Sequence, residues 1–220
     1  MAQSLAFDTL VPEGRASYNG IKILYWTDTI NAYGDSVKLQ RSRFAYDPSY
    51  HPHRGYLYDW SAAHAVPDSC VFVAGCIQPE VKWRGICPEG WHIPTNAEFS
   101  VMRTYLAKMY DPTIPDPYLA VASLLKSTRG WGGSSSTGWN PYMYAGKDVV
   151  GFSAVSEGHS MNGEYFVATD GNAFSEFWSS DEIDSNHAFF WMLKAAPPGD
   201  AIMRTQGSKL EKYPIRCLQD

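Results

Sequence analysis

Between Thr95 and Asp111, apolar residues recur at Phe99, Met102, Leu106 and Met109. Intervals of three and four gather such side chains on one face of a helix. Its start is signalled by Thr95 and Glu98, which have the spacing of a capping box: the Thr95 hydroxyl accepts from the Glu98 amide, and the Glu98 carboxylate reaches back to the Thr95 amide. Pro88, Gly90 and Pro94 punctuate a tight approach, with Trp91 placed to cover the first turn, and Asp111-Pro112 ends the helix. A shorter helix is expected over Leu57 to Val66, anchored by Trp60 and stopped by Pro67, with His64 in a structural role. Asp116-Pro117 opens a third, apolar helix from Tyr118 to Lys126.

From Val149 onward the apolar runs shorten to strand length. Val150 to Val155, Tyr165 to Thr169, Phe174 to Trp178, His187 to Leu193 and Tyr213 to Leu218 read as strands, and Asp170-Gly171 is a hairpin signal. Ahead of the helices, Ile21 to Trp26 reads as a strand, Asn31 to Asp35 as a turn cluster, and residues 44–56 as a loop. Helices followed by an antiparallel sheet predict an α+β protein. The stretch Gly130 to Gly138 lacks the Gly-Lys-Ser/Thr ending of a phosphate cradle and reads as a flexible surface loop pinned by Trp131 and Trp139.

Composition narrows the function classes. Among 220 residues, 15% are aromatic and only 19% charged, which favours a loop-rich globular protein with rings in its core and at a binding surface. A net charge of −5 without a run of Lys and Arg argues against nucleic acid as a partner. No stretch approaches the length of a membrane span, so no membrane insertion is expected. The first residues lack the basic and apolar regions of a signal peptide, which implies a removed leader or another route out of the cell.

Catalytic and metal motifs are sparse. The chain holds neither a Gly-x-Ser-x-Gly elbow nor a His-Glu-x-x-His pair, and no cofactor is expected. His51 and His53 flank a proline and read as solvated residues rather than ligands. Asp181, Glu182 and Asp184 are acidic enough for calcium but read as a solvated turn. Four cysteines allow three disulfide pairings, with four free thiols as the alternative. Zinc is disfavoured, because the Cys70 to Cys76 spacing is wider than a zinc knuckle needs and Cys87 and Cys217 are isolated.

The segment Cys87-Pro-Glu-Gly-Trp-His-Ile-Pro-Thr-Asn-Ala-Glu resembles the signature of the Fibrobacter succinogenes major paralogous domain family of bacterial surface and secreted proteins. Gly55-Tyr-Leu-Tyr-Asp-Trp-Ser-Ala-Ala, Gly151-Phe-Ser-Ala with Phe177-Trp-Ser-Ser, and Ile215-Arg-Cys-Leu-Gln-Asp match in the same order. The resemblance implies one C-type-lectin-like domain over 1–220, with 55–220 the matching part and 1–40 divergent, lacking the family's Trp-Met-Ala-Glu-Asn-Leu motif. It implies bridges from Cys87 to Cys217 and from Cys70 to Cys76, a location outside the cell or on a phage virion, and ligand binding without catalysis. Calcium-dependent lectins carry Glu-Pro-Asn or Gln-Pro-Asp with Trp-Asn-Asp, and this chain has neither set. A formylglycine-generating type of enzyme is a distant alternative on the same fold, and it needs thiols that this pairing does not leave free.

The resemblance also divides the C-terminal stretch. Phe177-Trp-Ser-Ser, Ser185, Ala188, Leu193, Lys209 and Ile215-Arg-Cys look like framework, whereas the residues between them are heterogeneous. Some family members look like targets of diversity-generating retroelements, which vary selected codons between two such borders. The candidate ligand-binding residues are therefore Ile183, Asp184, Asn186, His187, Phe189, Trp191, Arg204, Gln206, Ser208 and Leu210, facing a protein or glycan on a cell surface. Strand alternation places His187, Phe189 and Trp191 on one face, expected outward, and Ala188, Phe190 and Met192 on the other, expected inward. The alternative is a central strand buried on both sides. An adhesin or receptor-binding protein is the expected function, with a pilus-tip or fibre subunit as the competing class.

Overall fold

The computed structural model describes residues 14–18, 21–32, 35–45, 57–78, 81–110, 121–135, 138–140, 144–156, 158–161, 164–166, 173–194 and 202–220. They form an α+β structure with short helices and small antiparallel sheets. Ahead of the helices the one expected strand, Ile21 to Trp26, is part of a four-stranded sheet, which corrects the expected order of helices followed by a sheet. Strands β1 (Gly14–Tyr18), β2 (Ile21–Ala32) and β3 (Asp35–Ala45) run antiparallel in order, and β4 (Leu57–Tyr58) pairs with β3. The register closes at Ala32 and Asp35, within the turn cluster read from the sequence. Phe44 and Ala45, expected in a loop, belong to β3. His51 and His53 lie outside the described residues.

Helix α1 (Trp60–His64) starts later than its apolar pattern suggested, because Leu57 and Tyr58 are taken by the sheet. The Asp59 carboxylate caps it by accepting from the Ala62 amide, and Ala65 ends it in the left-handed conformation at φ 54°. His64 is buried, stacks 3.6 Å from the Trp60 ring and donates from Nδ1 to the Trp60 carbonyl, so its role is structural.

Helix α2 (Asn96–Tyr110) follows β5 (Trp91–His92). Its capping box forms as read: the Glu98 carboxylate accepts from the Thr95 amide and hydroxyl, each at 2.9 Å, and the Glu98 amide donates to the Thr95 hydroxyl at 3.2 Å. Phe99 and Leu106 are buried and Met102 is half-buried, as their spacing predicts. Helix α3 (Val121–Leu125) falls within the third predicted helix; Lys126, expected to end it, bridges to Ala154 instead, and residues 118–120 lie outside the described residues.

The Gly130 stretch is not wholly loop, since β6 (Gly133–Ser135) pairs with β7 (Gly138–Asn140). Trp131 is buried and donates from Nε1 to the Ala154 carbonyl at 2.7 Å. The run Val150 to Val155 makes no strand beyond one bridge between Ala154 and Lys126. Asp148, Gly151 and Ser153 all take positive φ there, and the Asp148 carboxylate accepts from the Ser153 amide, so the chain curls instead of extending. Strands β8 (His159–Met161) and β9 (Glu164–Phe166) pair with Asn162-Gly163 between them, a hairpin signal missed in the sequence. Asp170-Gly171 lies outside the described residues.

The C-terminal sheet holds β10 (Phe174–Glu182), β11 (His187–Lys194) and β12 (Ile202–Ser208) in that order, so β11 is central. Apolar clusters cover both of its faces. On one, Trp178, Ala188 and Phe190 pack with Trp60, Tyr213, Ile93 and Ile215. On the other, Phe177, Trp191, Leu193 and Ile202 pack with Phe99, Leu106, Leu124, Trp131 and Phe152. Gly207 in β12 lies in close approach to buried rings: a Cβ there would stand 2.8 Å from the Tyr213 hydroxyl and 2.9 Å from the Phe190 ring. The expected strand Tyr213 to Leu218 is reduced to a bridge from Tyr213 to Tyr58 and β13 (Leu218–Gln219), which pairs with β5. Pro214 supplies no amide to a continuous ladder.

Both disulfides form, Cys87 to Cys217 across a sequence separation of 130 and Cys70 to Cys76 across 6, and no cysteine is free. The long bridge stands beside a polar clamp. His92, buried, has Nδ1 2.6 Å from Asp220 Oδ1 and Nε2 2.9 Å from Glu98 Oε1. Burial works to raise the Glu98 carboxyl, but the bonds from Thr95 and His92 outweigh it and hold it below the usual carboxylate range.

Candidate functional site

Phe177, Trp178, Ser179, Ser180, Ala188, Leu193, Lys209, Ile215, Arg216 and Cys217, singled out in the sequence as framework, are all buried, and Ser185 is half-buried. The candidate binding residues are distributed differently. Ile183, Asp184, Asn186, His187, Arg204, Gln206 and Leu210 are exposed, Phe189 and Ser208 are half-buried, and Trp191 is buried at 1% exposure.

Register gathers most of them on one face. His187 lies opposite Ser208, Phe189 opposite Gln206, and Trp191 opposite Arg204. Directly paired residues point to the same side of an antiparallel sheet. One face of β11 and β12 therefore carries His187, Phe189, Trp191, Arg204, Gln206 and Ser208, with Ile183, Asp184 and Asn186 in the preceding turn and Leu210 just past β12.

Trp191 does not point outward to solvent as expected, and this is the main correction to the site. Helix α2 lies over that end of the face. The Trp191 ring stacks on Phe99 with centroids 5.3 Å apart, its Nε1 donates to Asn96 Oδ1 at 2.9 Å, and the Arg103 guanidinium sits 5.1 Å above it. Phe190, on the opposite face, is buried as expected and Met192 is half-buried, so β11 is buried on both sides around residues 190 and 191. Toward His187 the cover ends and the face opens. There the Arg204 guanidinium carbon lies 4.8 Å from the centre of the Phe189 ring.

The acidic cluster is not a uniformly solvated turn, because each carboxylate has a separate structural task. Asp181 accepts from the Asn96 amide and the Ser179 hydroxyl, fastening α2 to the end of β10. Glu182 accepts from the Gly75 amide at 2.7 Å and stands 3.3 Å from the Lys209 ammonium. Asp184 accepts from the amides of Asn186 and His187 and faces His187 Nδ1 at 3.0 Å. The Asn186 amide, joined by the His187 bonds, holds the Asp184 carboxyl below its usual range. Among the described residues, no group of three or more His, Cys, Asp or Glu is arranged to hold a metal ion.

Lys209 is buried and donates to the Cys70 carbonyl at 3.2 Å and the Val73 carbonyl at 3.1 Å. With the Glu182 bond to Gly75, this pins the Cys70–Cys76 loop against the strand ends that carry Ile183 and Leu210. The loop displays Phe72 at 62% and Val73 at 50% exposure, next to Ile183 at 38% and Leu210 at 54%. Sequence reasoning missed Phe72 and Val73, and it missed Asn96 and Arg103, whose approach to Trp191 is a tertiary contact without local signal.

The family model of the Fibrobacter succinogenes major domain aligns with residues 11–219, so the matched region starts well ahead of Gly55. No curated protein matches the chain, and neither does any solved structure.

Proposed function

We propose, from the premise that this chain belongs to the Fibrobacter succinogenes major domain family, that it is a non-enzymatic ligand-binding protein of the adhesin or receptor-binding type on a C-type-lectin-like scaffold. The observation that carries the reading is the separation of roles in the C-terminal sheet. Framework positions are buried, while His187, Phe189, Arg204, Gln206 and Ser208 share one face that opens beyond the cover of α2. Aromatic side chains at such a face lose little freedom on binding, and aromatic and Arg residues are frequent energetic anchors. Two disulfides and no free cysteine suit an oxidising, extracellular setting and leave no thiol pair for formylglycine chemistry. Diversification of the non-framework codons between Phe177 and Cys217 belongs to the same reading.

The test is a glycan array run beside a pull-down of bacterial surface proteins, with wild type and Phe189→Ala compared. Binding that falls about tenfold or more in the variant, at unchanged melting temperature, supports the face. Binding that is indifferent to Phe189 and to Gln206→Ala removes it.

A second reading, a fibre or pilus-tip subunit, draws on Phe72, Val73, Ile183 and Leu210, whose exposed apolar side chains suit contact with a neighbouring subunit. Size-exclusion chromatography over a concentration series separates the two. Self-association abolished by Phe72→Ser favours the subunit, and a monomer at every concentration excludes it.

A further inference from the structure

We infer that the open face takes an extended, acidic segment of a partner protein, with a carboxylate seated on Arg204. This rests on the reading of that face as the binding surface and adds the chemistry of what it holds.

The guanidinium carbon of Arg204 lies 4.8 Å from the centre of the Phe189 ring. Arg204 is exposed and no hydrogen bond among the described residues ends on its guanidinium, so its N–H donors are available to receive a carboxylate through two parallel bonds. The neighbouring carboxylates are already engaged within the protein. Asp181 holds the Asn96 amide, Glu182 holds Gly75 and Lys209, and Asp184 holds its own turn and the His187 ring. The Arg103 guanidinium lies over Trp191, the residue paired with Arg204, and His187 stands at the other end of the face. Within a chain of net charge −5, the exposed Arg204 guanidinium is paired with no carboxylate of the described residues, and it is this single cation that is complementary to a ligand carboxylate.

Spacing favours a peptide. Arg204, Gln206 and Ser208 are successive residues on one side of β12, about 6.8 Å apart along the strand. An extended peptide repeats its side chains at the same interval, so one segment can address all three. A uronic-acid or sialylated glycan has the carboxylate but fits the remainder less well. The guanidinium already covers one side of the Phe189 ring, where a pyranose would stack. The apolar residues beside the face are Ile183 and Leu210, which suit aliphatic side chains.

The probe is a phage-displayed random dodecapeptide library panned on the full chain. Selected peptides are resynthesised and titrated against wild type, Arg204→Glu and Phe189→Ala at low and high salt. Enrichment of Asp and Glu, with affinity reduced at least tenfold by Arg204→Glu and weakened by salt, is the expected result. Neutral or basic peptides that bind Arg204→Glu as well as wild type, yet are lost on Phe189→Ala, overturn the carboxylate and leave the face intact. No enrichment, or peptides that bind all three proteins equally, overturns the face and the inference together. Oligogalacturonate that binds more tightly than any peptide, in an Arg204-dependent way, overturns the protein as the source of the acid.

Discussion

Replacing Trp191 by alanine removes a ring that is 1% exposed, stacked on Phe99, bonded to Asn96 and roofed by Arg103. Truncating a buried Trp typically costs about 3–5 kcal/mol, from lost transfer energy plus the cavity left behind. The orphaned Asn96 amide adds to this, because it loses a partner in a part-buried setting. In a domain of this size each kcal/mol moves the melting temperature by about 2–4 °C, so Trp191→Ala should melt roughly 6–20 °C below wild type. Phe189 is two residues away on the same face but only half-buried, and its recorded ring contact is with the Arg204 guanidinium. Losing that contact costs about 0.5–1 kcal/mol at an exposed site, so Phe189→Ala should stay within a few degrees of wild type. Far-UV circular dichroism through the thermal transition reads both without relying on the fluorescence of the deleted ring. A Trp191→Ala protein melting within about 2 °C of wild type, or a Phe189→Ala protein losing as much as Trp191→Ala, would refute the placement of the site boundary between residues 189 and 191.

Three further outcomes follow from the scaffold. Chain entropy assigns about 5 kcal/mol to the Cys87–Cys217 bridge, at a separation of 130, and about 2 kcal/mol to Cys70–Cys76, at 6. Denaturant titrations of the two Cys→Ala pairs should therefore rank in that order, and equal losses would contradict it. Thr95→Ala should cost about 0.5–2 kcal/mol by removing half of the capping box, and an unchanged transition midpoint would mean the cap contributes nothing. Burial pushes the His64 imidazole down from 6.5 to about 3, so the folded state keeps it neutral where the unfolded chain binds a proton. That contribution is complete above the unfolded value and is lost as pH falls from about 6.5 toward 3, with a slope of at most about 1.4 kcal/mol per pH unit. Asp59 and Glu176, raised by burial, act with the opposite sign. The difference between wild type and His64→Gln isolates the imidazole, and a pH-independent difference would remove the claim.

What was legible in the sequence had local causes. A capping box needs two residues three apart, and Thr95 and Glu98 supply both groups within one turn. The faces of β11 were legible as faces, since alternation fixes which residues lie together. Whether a face is covered was not legible. The element that covers Trp191 binds it through Asn96, 95 residues away in the chain. Strand β12 was missed for a related reason. Ile202-Met-Arg-Thr-Gln-Gly-Ser has weak strand propensity, and pairing with β11 along its whole length is what extends it. In the N-terminal part, Ile21 to Trp26 signalled only the first half of β2, and the polar second half, Thr27 to Ala32, is held by its register with β3. The task of the acidic cluster was hidden because the Asn96 and Gly75 amides come from distant segments.

The division between bonded and unbonded side chains decides which positions can change without loss of the fold. Among the described residues, no hydrogen bond ends on the Arg204 or Gln206 side chain, and Phe189 has no polar atom to satisfy. Asp184 is different, because its carboxylate closes the turn by accepting from the Asn186 and His187 amides. Ser208 is also tied, its hydroxyl accepting from the Leu210 amide. Trp191 is committed to α2. If the stretch between Phe177 and Cys217 is diversified, positions 189, 204 and 206 should therefore carry the variation, while Asp184 and Trp191 stay constant or change only to residues that keep their bonds. Surface substitutions of the first kind usually shift stability by no more than about 0.5 kcal/mol, whereas breaking the Trp191 packing costs several times that. Deep sequencing of the locus from a mixed population measures this directly. Variation concentrated at 184 and 191, with 189, 204 and 206 fixed, would mean that the binding surface lies elsewhere.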